Sequence, residues 1–183
     1  IFDLNGNVSE WAAGIRTVKG ELQMLPNNDA ADSSNPQNAA ATTWKAIDAT
    51  TGAFIAPDGN GTTENSIKID NAGTGNAQWC KAITKTSDNF NCALGLITCS
   101  ADISDAAKDV LRAYGLLPVD GAKASDYDDD RLFFNNVADE RLFYCGGSCG
   151  SGTYAGVGYS GGNYSSRATT NVSVGFRSAY YEV

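Results

Sequence analysis

Glycine and other turn residues cut this chain so often that only one stretch is long and regular enough to form an amphipathic helix. Twenty of its 183 residues are glycine. Between the breaks lie short apolar runs of strand length, bounded by Gly, Asn, Asp and Ser. The exception is Ser104 to Tyr114, where Ala107, Val110, Leu111 and Tyr114 recur at helical spacing. Ser104 suits an N-cap, Asp105 falls in the first turn, Gly115 ends the run, and Pro118 prevents its resumption. Val8 to Ile15 and Thr17 to Leu25 read as extended, broken at Gly20. Residues 26–41 read as a loop with room for one short helix, and Thr42 to Ile47 as a short helix or turn. Phe54-Ile55-Ala56 and Ser66 to Ile69 read as strands, Gly73 to Asn76 as a turn, and residues 120–130 as an acidic loop. Arg131 to Phe134, Glu140 to Tyr144 and Val172 to Tyr181 complete the strand-like pieces. No repeat of fixed period and no linker divides the chain, so the expectation is one α+β domain of short antiparallel strands and few helices.

Charge and residue chemistry narrow the function classes. Thirteen basic against 21 acidic residues give a net charge of −8, which repels a phosphate backbone, so no nucleic-acid partner is expected. No apolar run approaches the roughly 20 residues a membrane span needs, so no membrane insertion is expected. The chain opens at Ile1 directly in a patterned segment and reads as the C-terminal part of a longer or trimmed protein. Histidine is absent, which removes His-based triads and His-ligated metals. The five cysteines, 80, 92, 99, 145 and 149, are odd in number. Their first spacings, 12 and 7, match no tight zinc knuckle, leaving buried thiols or one disulfide as the reading. The acidic run Asp126 to Asp130 lacks a calcium loop's closing Glu and reads as a solvated loop, so no metal or other cofactor is expected.

The stretch from Tyr144 to Ser173 is unlike the rest. Its 30 residues include eight Gly, six Ser, four Tyr and two Asn, and Arg167 is its only formal charge. Antibody-type paratopes have this composition: Tyr supplies contact area at low entropic cost, and Ser, Gly and Asn supply adaptable hydrogen bonds. A plain connecting loop is the alternative, but four tyrosines among the glycines argue against a flexible linker. Tyr144, Tyr154, Tyr159 and Tyr164 are the candidate anchors.

Three segments occur in order: Asp3-Leu4-Asn5-Gly6-Asn7-Val8-Ser9-Glu10-Trp11, then Arg141-Leu142-Phe143-Tyr144-Cys145-Gly146-Gly147-Ser148, then Val174-Gly175-Phe176-Arg177-Ser178-Ala179. They resemble the D-x-x-G-N-V-x-E-W, R-x-x-R-G-G-S and G-F-R signatures of the formylglycine-generating-enzyme-like branch of the C-type-lectin fold. Residues 19–130 carry no motif of those enzymes and look like a long insertion. Within that branch the chain resembles the variable proteins of diversity-generating retroelements, found in bacteriophages and some bacteria and archaea. Lys19 to Ala31, Thr43 to Ile47 and the helix ending Leu116-Leu117-Pro118 share in the likeness.

The resemblance implies a single C-type-lectin-like domain, displayed on a phage virion or cell surface, whose C-terminal region (141–180) is rewritten at adenines while the scaffold stays fixed. It implies non-covalent recognition of a macromolecular ligand, a cell-surface protein or glycan, through diversified ligand-binding positions expected at Tyr144, Ser148, Gly150, Ser151, Tyr154, Tyr159, Gly161, Asn163, Tyr164, Asn171 and Ser173. Trp11 would anchor the core, and Asn5, Gly6 and Asn7 would shape the turn before it. Gly146 and Gly147 would allow close backbone packing, and Gly175, Phe176 and Arg177 would lock the last strand. Cys145 stands where the family usually carries Arg. Formylglycine-generating enzymes use a reactive cysteine pair beyond the G-G-S motif. Here Cys145 precedes Gly146, Cys149 directly follows Ser148, and no cation flanks either thiol, so catalysis is not expected. The related sulfoxide synthases need histidine ligands, which this chain lacks. An oxidase of that branch, or a degenerate relative, is the runner-up, and a structural virion domain without a ligand is the third reading.

Overall fold

The computed structural model describes residues 8–73, 76–128, 130–152 and 165–175. The chain begins with a hairpin. Strand β1 (Ser9–Val18) turns at Lys19 and Gly20 into β2 (Glu21–Met24). Both turn residues have positive φ, 47° and 84°, the requirement of a two-residue type I′ connection. Asp29–Ala31 forms a single 3₁₀ turn, within the loop expected there. β3 (Lys45–Ile47) and β4 (Phe54–Ile55) follow, then β5 (Lys68–Gly73) and β6 (Asn76–Cys80). The expectation of a helix or turn over Thr42 to Ile47 is corrected at its second half. Ala46 and Ile47 are fully buried and pair with β2 and β4, so sheet packing decides the conformation of a run too short for periodicity to show. β7 (Phe90–Ala93) pairs with β9 (Arg131–Phe134) as a separate two-stranded ribbon. β8 (Thr98–Cys99) runs parallel to β6. β10 (Arg141–Cys145) and β11 (Val174–Gly175) both return to β1.

The main sheet is ordered β10-β1-β2-β5-β6-β8, with β11 on β1, β3 on β2 and β4 on β3. The molecule is mostly β, with a curled sheet and, among the described residues, one α-helix. That helix, α1 (Asp105–Ala113), keeps the limits the sequence marks. Ser104 Oγ accepts from Ala107 N at 3.2 Å, and Gly115 takes φ +67° just past the end. Its inner stripe, Ala107 and Leu111, packs into a core of Leu22, Met24, Ile47, Ile67, Ile69, Trp79, Leu132 and Phe134. Trp79 Nε1 donates to Leu116 O at 2.8 Å, so the buried indole leaves no polar atom unmet. Most of this core comes from residues 19–130, the stretch read as an insertion.

A line of buried polar groups crosses the sheet. Glu21, with no exposed surface, accepts from Gln23 Nε2 (2.7 Å), Ser66 Oγ (2.7 Å) and Thr63 N (3.0 Å). Lys68 Nζ donates to Ser66 Oγ at 2.6 Å. On the other side Arg16 Nε donates to Gln23 Oε1 at 2.9 Å, and Arg16 Nη1 to Glu140 Oε1 at 2.7 Å. The Arg16 guanidinium also lies 4.3 Å over the ring of Trp44. Burial lowers the proton affinity of both Arg16 and Lys68, while their acidic neighbours favour the charged forms.

Candidate functional site

The site grows from the crowding at the start of β1. Glu10 pairs with Cys145 of β10 on one side and Gly175 of β11 on the other. Two loops leave this three-strand corner, 145–152 after β10 and 165–173 before β11. The first begins with Gly146 and Gly147 at φ 88° and 63°, so these glycines serve the turn itself, a conformation L side chains avoid. The second is tied at both ends. Leu142 N donates to Ser165 O at 2.9 Å, and Ser9 N to Ser173 O at 2.8 Å.

Between the loops lies a cavity of about 210 Å³. Ser9, Tyr144 and Ser165, all buried, line it from the sheet side. Ser148, Ser151, Thr169, Asn171, Ser173 and Val174 complete the lining. Every side chain but Val174 carries a neutral polar group, and none carries a charge. The loop hydroxyls are already set by local bonds. Ser148 N donates to Ser151 Oγ at 2.9 Å, and Ser173 N to Asn171 Oδ1 at 2.8 Å. Such a surface can donate and accept hydrogen bonds in many patterns.

Five of the eleven candidate residues, Tyr144, Ser148, Ser151, Asn171 and Ser173, therefore meet in one cavity. Gly150 sits on the exposed rim. A Cβ built there would lie 3.8 Å from Ser148 Oγ, so a side chain fits without displacing anything. Tyr154, Tyr159, Gly161, Asn163 and Tyr164 lie outside the described residues, as do Asn5, Gly6, Asn7, Phe176 and Arg177. Two expectations change. Tyr144, expected as a contact anchor, is only 9% exposed and meets Trp11 edge-on at 5.9 Å, so it walls the cavity. Trp11, expected as the core anchor, is half-buried; Trp44 and Trp79 hold that place, each 1% exposed or less. Ser9, Ser165 and Thr169 were not among the candidates. Ser165 and Thr169 fall inside the stretch and share its hydroxyl chemistry; nothing local marks Ser9. Val172, 98% exposed between Asn171 and Ser173, is an apolar side chain offered directly to solvent.

Arg167 fastens the second loop to the sheet. Its Nε and Nη2 donate to Glu140 Oε2 and Oε1 at 2.6 and 2.9 Å, while Glu140 also holds Arg16. Burial works to raise the Glu140 carboxyl, but the bonds and charges of Arg167 and Arg16 outweigh it and hold it below the ordinary glutamate value.

The cysteines stand apart from this chemistry. All five are thiols: Cys80 and Cys92 buried, Cys99 half-buried, Cys145 and Cys149 exposed. Burial pushes Cys80 up to about 12 and Cys99 up to about 11, which disfavours thiolate at neutral pH. The alternative of a disulfide among Cys80, Cys92 and Cys99 is thus corrected to three thiols within the core layers. No group of three or more acidic or cysteine side chains among the described residues could hold a metal ion. Nor is any helix among them long and apolar enough to cross a membrane. No protein-family model matches the chain, and no curated protein matches it in sequence.

Proposed function

We propose that this domain is a ligand-binding display module of C-type-lectin fold, a variable protein of a diversity-generating retroelement. Its recognition face is the stretch from Tyr144 to Ser173. The observation that carries this reading is the convergence of Tyr144, Ser148, Ser151, Asn171 and Ser173 on one cavity without charged side chains. The hydrophobic core beneath is built from other residues. The hydroxyl and amide groups of the loops suit adaptable, non-covalent contact with a macromolecule such as a cell-surface protein or glycan, met from a virion or cell surface. Binding of this kind uses no chemistry of bond formation.

Sequencing the 3′ end of this gene across a source population tests the reading. Substitutions confined to adenine-containing codons between Tyr144 and Ser173, with Trp11, Glu140 and Gly175 constant, are the expected outcome. An invariant stretch, or variation spread evenly along the chain, rejects it.

A further inference from the structure

Side chains alternate along β10. Leu142 and Tyr144 face one side, the latter into the polar cavity; Phe143 and Cys145 face the other. On that second side lies a cavity of about 370 Å³ with a different lining.

An interruption in the sheet creates it. β1 pairs with β10 at Trp11↔Tyr144 and again at Arg16↔Leu142, so four residues of β1 stand opposite Phe143 alone. Three of the four are small, Ala12, Ala13 and Gly14, the fourth is Ile15, and Ala30 lies against Gly14. Large apolar groups, Met24, Leu25, Leu116 and Phe143, form the remaining wall. Small chains on one side and large ones on the other leave a void that neither fills.

The wall is fixed. Gly14 N donates to Gln37 Oε1 at 2.8 Å, and Leu25 N to Gly14 O at 2.8 Å. Gln37 Nε2 donates to Ala30 O at 2.9 Å, and a Cβ on Gly14 would sit 2.5 Å from that of Ala30. A pocket held this way does not have to be ordered by its ligand. No lining side chain is charged, and the polar ones are Asn28, Tyr114 and Cys145, all exposed at the opening. Water inside such a lining finds few partners.

We propose that this cavity is a second binding site, for a small uncharged molecule of about two aromatic or alicyclic rings, with Cys145 and Tyr114 at its mouth. The size follows from volume. A closed apolar cavity of about 150 Å³ accepts one benzene ring, so one of roughly twice that accepts two. The lining, apolar with a few polar groups at one end, is that of a small-molecule pocket. The site is independent of the polar face and stands whether or not that face recognises a macromolecule.

Titration of the intact protein with 6-propionyl-2-(dimethylamino)naphthalene, an uncharged two-ring aromatic whose emission shifts to the blue out of water, is the test. The expected result is saturable binding of one molecule per chain. Ala12→Leu fills the bulge side and Cys145→Trp blocks the mouth, and each should weaken binding at least tenfold while the protein keeps its melting temperature. In a Cys149→Ser background, saturating probe should slow reaction of Cys145 with N-phenylmaleimide at least fivefold, read on the Cys145 peptide by mass spectrometry. This second readout decides the matter if either filling variant fails to fold. Absence of saturable binding, equal affinity in both folded variants, or an unchanged Cys145 reaction rate overturns the proposal.

Discussion

The middle of the sheet and the corner above β1 both carry many polar groups, but the two regions use them in opposite ways. Around Glu21, the side chains are buried and interlocked: Gln23 Nε2, Ser66 Oγ and Thr63 N converge on a single carboxylate, and Lys68 Nζ donates to the same Ser66 Oγ. Around Ser148 and Asn171, the side-chain bonds among the described residues run to near neighbours in the same loops, along the wall of the cavity. The first arrangement specifies one structure, because a change at any member leaves a buried group unmet. The second specifies little, because water can stand in for any lost partner. A binding surface that has to change its residues without unfolding its carrier needs the second kind set upon the first.

Substitutions should expose the contrast most sharply in the core. Trp79→Ala removes the largest fully packed side chain and the bond to Leu116 O, and should cost about 3–5 kcal/mol in urea unfolding. Glu21→Ala strands three donors and removes the carboxylate that most favours the charged form of Lys68, for an expected loss of about 3 kcal/mol by the same measurement. If Glu21→Ala proves neutral, the two regions do not differ in kind.

Glu140 lies on the boundary between them. Glu140→Ala should cost about 2 kcal/mol, because it leaves the buried Arg16 partly unpaired as well as releasing Arg167. Its carboxyl is held below the ordinary value in the folded protein. The folded state therefore binds this proton less readily than the unfolded chain. Stability from Glu140 is complete above the unfolded value of about 4.3 and is lost as pH falls through the lowered folded value. Urea midpoints measured from pH 6 to pH 3 should fall less steeply in Glu140→Ala than in the parent.

The smallest effects belong to the corner. Asn171→Ser, Ser173→Thr and Val172→Ser should each move stability by no more than about 0.5 kcal/mol by thermal melting. A fall of 2 kcal/mol in any of them would mean that the loops hold the fold and are not free to vary.

Local chemistry made the helix and hairpin legible beforehand. Ser104 and Gly115 bound α1 as capping rules demand, and Gly20 marks the turn between β1 and β2. The composition of Tyr144 to Ser173 pointed to residues that do meet in space. Long-range pairing was not legible. Lys45 to Ile47 is a strand because β2 and β4 flank it, which no three-residue pattern announces. Ser9 reaches the cavity only because β1 is caught between β10 and β11, and Tyr144 is buried because Trp11 comes to lie beside it. The apolar cavity depends on a register shift against Phe143, a relation between residues some 130 positions apart.

The backbone ties at Ser165 and Ser173 bear on chain length as well as on residue identity. Leu142 and Ser9 receive the returning chain at fixed points of the sheet, and Glu140 holds Arg167 between them. Points fixed on the sheet set where the chain returns and not how many residues it spends on the way, so under the proposed reading this scaffold can carry recognition segments of unequal length, a dimension of variety that point substitution alone does not reach.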